Sequence, residues 1–208
     1  FDWGHFAFIC DETKLKNPPR SFDDLIARDN NFRIIIQDPR TSTSGLGLLM
    51  WIRKIYGEKA SEIWKKLSPK IVTVTKGWSE SYGMFLEGES DLVLSYTTSP
   101  AYHIIAEGEN KYKAAIFDEG HYLQIELAAM TKNSSNPKLA KQFLDFILND
   151  EFQKIIPTTN WMFPVINVDI HETFNMINQP ENVLLFPSKV AGNFRSAWIN
   201  EWLIALTE

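Results

Sequence analysis

The sequence predicts an α/β fold, in which helices flank a sheet that contains parallel strands. Two observations support this prediction: short apolar or β-branched runs alternate with helical runs through most of residues 30–150, and polar loops with hydroxyl side chains or glycine separate them. Alternation of this kind favours parallel strands joined by helical crossovers. The 208 residues, 44% hydrophobic and 23% charged, are enough for one large domain or two small lobes.

The first half of the chain opens with an alternating, aromatic strand over residues 1–10. Ser21 is placed to cap a short helix that reaches residue 28, and Asp23 and Asp24 favour its first turn. Gly57 ends a later helix, and Ser99 is placed to cap another. Further strands are predicted at 33–37, 71–75 and 92–96, and further helices at 46–56, 60–67, 79–86 and 100–106.

The second half is predicted to begin with strands at 112–117 and 122–130. Asn136 at a cap position and Pro137 at the first helical position start a helix that reaches residue 148. A short helix at 150–155, an extended segment at 160–168 and a last helix at 190–206 complete the chain.

Composition excludes several classes of function. A net charge of -5 argues against nucleic acid, whose partners present a basic face. Cys10 is the single cysteine, so no intramolecular disulfide can form. No apolar run approaches the ~20 residues of a membrane span. The histidines are scattered without the spacing of a zinc motif, at His5, His103, His121 and His171.

Three loops, at 77–82, 95–102 and 160–164, combine Trp or Tyr with small hydroxyl residues. Flat rings beside hydrogen-bond donors suit a flat polar ligand, and ring faces also attract a cation. Two of these loops have an alternative: Trp78 could pack rather than stack, and 96–99 could be a turn fixed by Ser99 and Pro100. The candidate ligand residues are Trp78, Tyr96, Thr97, Thr98, Ser99, Tyr102 and Trp161.

A fourth loop, residues 38–45, follows a predicted strand and opens a helix. Ser42 and Thr43 offer hydroxyls there, and Gly45 and Gly47 would let the backbone approach a ligand closely. The N–H groups of a helix start can hold a phosphate. Simple helix capping is the alternative, and the Gly-Lys-Ser/Thr ending of a Walker loop is absent.

Five segments closely resemble the bacterial periplasmic thiamine-binding proteins, which are solute-binding components of ABC transporters. They are residues 37–43, 72–80, 91–103, 119–124 and 160–162. The resemblance implies a two-lobe periplasmic solute-binding fold of type II, with one lobe complete and the other partial. It implies that 11–118 form the complete lobe, while 1–10 and 119–208 supply hinge strands and the C-terminal part of the other lobe.

The same resemblance implies that Ser42, Thr43, Trp78 and residues 96–99 contact thiamine or a thiamine phosphate, with Tyr102 and Trp161 lining the cleft. It further implies a periplasmic location, an inner-membrane ABC permease as partner, and neither catalysis nor a cofactor. The alternatives are a solute-binding protein for ferric ion or a phosphorylated small molecule, and an enzyme on a similar two-lobe scaffold.

The chain starts within a predicted strand and without Met, so we expect it to be part of a longer protein. The resemblance implies that the opening part of the second lobe, with some ligand contacts, is missing. We therefore expect the chain alone to bind thiamine poorly. We also expect it to self-associate, because unpaired sheet edges invite another chain.

Overall fold

The computed structural model describes residues 1–207 and confirms an α/β fold with helices around a mixed sheet. Its strands are β1 Asp2–Asp11, β2 Ile34–Gln37, β3 Ile71–Thr75, β4 Leu92–Tyr96, β5 Tyr112–Ala115, β6 His121–Glu126, β7 Phe163–Pro164 and β8 Val183–Leu184. Its α-helices are α1 Phe22–Ala27, α2 Thr43–Tyr56, α3 Ala60–Leu67, α4 Trp78–Leu86, α5 Ser99–Tyr102, α6 Pro137–Phe146, α7 Asp150–Thr159, α8 Thr173–Met176 and α9 Ser188–Thr207.

The strands are ordered β3-β2-β4-β1-β6-β8, and β5 and β7 also pair with β1. Strand β2 runs parallel to β3 and β4, and helical crossovers connect these strands, as the alternating pattern predicts. Strand β1 instead runs antiparallel to β4, β5, β6 and β7. The prediction of parallel pairing therefore holds for β2 with β3 and β4 and for β6 with β8, whereas every pairing of β1 is antiparallel.

Strand β1 joins the two parts of the sheet. Its residues 6–9 pair with β4, whereas residues 2–5 pair with β6. Almost all of its side chains are buried, which agrees with the apolar character of the strand. Because β1 crosses between two groups of strands, we propose that it is the hinge strand that the resemblance implies.

Glycines in α2 allow that helix to lie directly on the sheet. A Cβ atom added at Gly47 would come 2.2 Å from the Phe6 ring, and one added at Gly45 would come 2.3 Å from the Gln37 carbonyl oxygen. Both glycines are buried. The expectation that they let the backbone approach a ligand is therefore wrong, because the space above them is filled by β1 and β2.

The last helix packs on the middle of the chain. Trp202 of α9 meets Trp64 of α3 edge to face with ring centroids 6.3 Å apart, and Glu201 pairs with the guanidinium of Arg53 in α2. The division of the chain at residue 118 remains a prediction, and α9 packs across that division.

Several element boundaries differ from the prediction. Helix α2 begins at Thr43, three residues early, and α7 continues through Pro157 to Thr159. Strand β6 ends at Glu126, because the apolar residues that follow are exposed and no strand within 1–207 pairs with them. In the predicted extended segment 160–168 only β7 pairs, since Trp161 adopts a left-handed conformation that interrupts an extended chain.

Candidate ligand-binding site

A cavity of about 650 Å³ lies at the carboxyl ends of β4 and β6. Its size is within the ordinary range of ligand pockets. Helix α4, the turn that enters α5 and the segment after α7 complete its walls. The cavity brings together six of the sequence-predicted residues: Trp78, Tyr96, Thr98, Ser99, Tyr102 and Trp161.

Trp78 forms one wall. It is the first residue of α4 rather than part of a loop before the helix, and 39% of its surface is exposed. Its ring stacks on Tyr82, with centroids 4.7 Å apart, and its Nε1–H donates to Ser95 Oγ at 2.7 Å. One face and one edge of the indole are thus held by protein, which leaves the ring both fixed and accessible.

The turn after β4 is tied to this wall. Ser95 Oγ and Ser99 Oγ are 2.7 Å apart, and the Tyr96 N–H donates to Ser99 Oγ at 3.3 Å. Thr98 lines the cavity, but Thr97 is fully buried and does not. Within residues 1–207 the Thr97 hydroxyl has no hydrogen-bond partner.

A second part of the wall is formed by Tyr102 and Trp161, whose rings meet edge to face with centroids 5.1 Å apart. Trp161 follows α7 with a φ of 58°, a left-handed conformation that bulky residues rarely adopt. The N–H groups of Asn160 and Trp161 both donate to the Ile156 carbonyl, which fixes this turn. Strain of this kind is concentrated at functional sites, so the geometry marks the Trp161 turn as a candidate.

Ser42 and Thr43 do not line the cavity. Ser42 occupies the N-cap position of α2, but its side chain makes no capping hydrogen bond. Its hydroxyl lies 2.9 Å from Ser44 Oγ, which donates to Gln37 Oε1 at 2.7 Å. Gln37 Nε2 then donates to Ser81 of α4, one turn from Trp78. The helix start is therefore connected to the cavity wall through buried side chains.

Burial and hydrogen bonds shift the pKa values of the tyrosines and acids at the cavity. Burial raises the pKa of Tyr82 and Tyr96 well above the ordinary value, so both hydroxyls stay protonated. A hydrogen bond from His103 holds the pKa of Glu107 below its usual range. Burial raises the pKa of Asp2, which neighbours the cavity, to about 6.

Sequence reasoning missed Tyr82, Glu107, Glu126 and Asn160, which also line the cavity. Tyr82 could have been found, because it lies four residues after Trp78 and the two share one face of a helix. Glu126 gave no comparable signal, since its position follows from the pairing of β6 with the distant strand β1.

Two further properties concern the described part of the chain. Among residues 1–207, no three His, Cys, Asp or Glu side chains are grouped so that they could hold a metal ion. No helix in the same range has the length and apolar character needed to cross a membrane.

The chain is similar to known thiamine-binding proteins along its whole length. The "Thiamine-binding periplasmic protein" of Escherichia coli (strain K12) is 57% identical over 208 residues, and the chain spans 63% of that relative. The protein of the same name from Brucella melitensis biotype 1 is 48% identical over 207 residues, with 99% of this chain and 62% of the relative covered. These relatives confirm the resemblance carried by the loops.

A solved structure named "Periplasmic thiamin binding protein" superposes with a TM-score of 0.96 at 55% identity, covering 100% of this chain and 65% of that one. The fold is thus that of periplasmic binding proteins of type II. The family profile for "Bacterial extracellular solute-binding protein" matches residues 1–184. This chain belongs to the family of bacterial extracellular solute-binding proteins.

Proposed function

We propose that the chain binds thiamine, or a thiamine phosphate, in the cavity between Trp78 and Trp161, and that it serves as the solute-binding component of an ABC transporter. The observation that carries this proposal is a cavity of about 650 Å³ with three aromatic walls, formed by Trp78 on Tyr82, by Tyr96, and by Tyr102 with Trp161. Thiamine has a flat aminopyrimidine and a cationic thiazolium, and both ring types suit aromatic faces.

The relatives support the proposal, because their names state that they bind thiamine in the periplasm. The chain spans 63% of the Escherichia coli relative, so its ligand, location and partner are proposals. We infer a periplasmic location and an inner-membrane permease as partner. We infer no catalytic role, and the cavity serves binding alone.

Ligand-observed NMR tests the proposal over a wide range of affinity. Saturation transfer from the 208-residue chain to thiamine at millimolar concentration should be detected, and Trp78→Ala should reduce it. Ferric salts and simple phosphate esters should not compete. Absence of transfer to thiamine, or displacement of thiamine by ferric ion, would overturn the proposal.

A further inference from the structure

Charge at the cavity is one-sided. Among the lining residues that the structure describes, Glu107 and Glu126 are acidic and none is Lys or Arg. The cavity therefore offers negative charge to whatever enters it. Aromatic faces in the same walls add to the attraction for a cation, since a ring carries negative charge density on its face.

Glu126 is held in a fixed orientation. Gln124 Nε2 donates to Glu126 Oε1 at 3.0 Å, and Gln124 Oε1 accepts from the Tyr96 hydroxyl at 2.8 Å. Tyr96 and Glu126 both line the cavity, so Gln124 links two of its lining side chains. Glu126 Oε2 makes no hydrogen bond with any group in residues 1–207, which leaves this oxygen free for a ligand.

A second acid stands opposite Glu126. Asp2 of β1 and Glu126 of β6 are directly paired across the two strands. Asp2 is fully buried; its Oδ2 accepts from Asn160 Nδ2 at 2.8 Å, and its Oδ1 has no partner within residues 1–207. Acids directly opposite on neighbouring strands are unfavourable unless a positive charge offsets them, and the α-amino group of Phe1 offsets this pair in part.

Glu107 differs from Glu126 in this respect. Its Oε2 lies 2.6 Å from His103 Nδ1, and it also bonds to the Tyr102 hydroxyl. This carboxylate is therefore already engaged with two side chains of the protein wall. Of the two acids in the cavity, Glu126 is the one with an available oxygen and an unfavourable neighbour.

We propose that Glu126, oriented by Gln124 and Tyr96, determines specificity for ligands that carry a positive charge on an aromatic ring. This inference rests on the proposed function, and it assigns the recognition of the thiazolium charge to one carboxylate. Gln124 is a positioning residue, because it acts by orienting Glu126.

The test compares thiamine with an isosteric analogue in which carbon replaces the charged ring nitrogen, so that the ring is neutral. Affinities are measured for wild type, Glu126→Gln and Glu126→Asp. The α-amino group of Phe1 is acetylated in all of them, since it lies 2.6 Å from the Glu126 carbonyl oxygen and its positive charge would offset that of the carboxylate.

Glu126→Gln should weaken thiamine binding about tenfold and change binding of the neutral analogue less than about twofold. Glu126→Asp should keep part of the preference.

Glu62→Gln is the matched control, because it removes the same charge from an exposed position on α3. It should leave both affinities unchanged. Raising the salt concentration should weaken thiamine binding in wild type more than in Glu126→Gln, a comparison within each protein that small differences in folding do not affect.

Equal losses for thiamine and the neutral analogue in Glu126→Gln, or no loss at all, would overturn this inference while leaving the proposed function intact. A wild-type chain that binds neither compound would instead overturn the proposed function, and the inference with it.

Discussion

The indole of Trp78 lies face to face with the phenol ring of Tyr82, at 4.7 Å between centroids and 23° between planes. The Tyr82 hydroxyl is in turn fixed by His103 Nε2 at 2.9 Å. Protein thus covers one face of the indole, and the exposed remainder points to the cavity that α4 lines. This backing places the ring before any ligand arrives, which reduces the entropy lost on binding.

Replacing Trp78 with Ala should therefore weaken thiamine binding by about 1–3 kcal/mol, through lost stacking and burial. Calorimetric or NMR titration measures the change. Trp78→Phe keeps an aromatic face and serves as the control, with a smaller loss expected. An unchanged affinity in the Ala variant would remove Trp78 from the ligand wall.

Although they do not line the cavity, Ser42 and Thr43 are predicted to hold the hydroxyethyl or phosphate end of the ligand. The side chain of Ser42 makes no capping bond, and a helix start leaves N–H groups unpaired, so α2 can offer them to an anion. The double change Ser42→Ala and Thr43→Ala should cost thiamine phosphates more than thiamine in titrations. Equal losses would mean that these residues only support the fold, through the contact of Ser42 with Ser44.

Local pattern predicts the long elements and part of the site. Strand β1, helix α2 and helix α9 are placed within a few residues because periodicity and caps are local signals. Trp78 and Tyr96 are recognisable as candidate cavity residues because rings beside hydroxyls in polar loops have few structural uses, and both line the cavity. Glu126 could not be found this way, because it faces the cavity only through the pairing of Asp2 with Glu126, two residues far apart in sequence.

The left-handed backbone at Trp161 gives a prediction about stability. With a φ of 58°, this position would suit Gly, whereas any side chain with a Cβ costs roughly 1–2 kcal/mol there. Trp161→Gly should therefore be more stable than Trp161→Ala by about 1 kcal/mol in urea unfolding. Both should lose the contact with Tyr102 and bind ligand weakly. If the Ala variant proves as stable as the Gly variant, the strain is absent.

His121 and Asp2 should make opposite contributions to stability in acid. The buried ring of His121 donates from Nδ1 to the Phe6 carbonyl at 2.7 Å, and its Nε2 accepts from the Phe117 N–H at 2.8 Å. Only a neutral ring can do both, and burial lowers its pKa from 6.5 to about 4. The unfolded chain then binds the extra proton between these values, so stability falls as the pH falls. Asp2 has a folded pKa of about 6 against 3.8 in the unfolded chain. Between these values the folded chain binds the extra proton, so the Asp2 contribution to stability rises as the pH falls.

Asp2→Asn removes the opposing contribution, so the loss of stability between pH 6.5 and 4.5 should be steeper in this variant than in wild type. At pH 7.5 the variant should be the more stable of the two, because it no longer buries a charge. Urea unfolding at a series of pH values measures both effects. Parallel curves for the two proteins would show that Asp2 titrates normally.

The surface of α6 predicts self-association of this 208-residue chain. None of its residues is buried, although Leu139, Phe143 and Phe146 expose 59%, 55% and 45% of their surfaces, and Leu127 before it exposes 84%. Apolar surface of this extent marks interaction sites. Sedimentation should show association that weakens when Leu139 and Phe143 are both replaced by Lys, and that persists when exposed Leu86 of α4 is replaced by Lys.

The same surface bears on affinity. The Escherichia coli relative is longer, since the chain spans 63% of it, and we expect its additional residues to cover such a face and to contribute to ligand binding. Thiamine should therefore bind this chain more weakly than it binds that relative, in parallel titrations under one set of conditions. A monomeric chain with an affinity equal to the relative's would show that residues 1–208 already supply every contact that matters for binding.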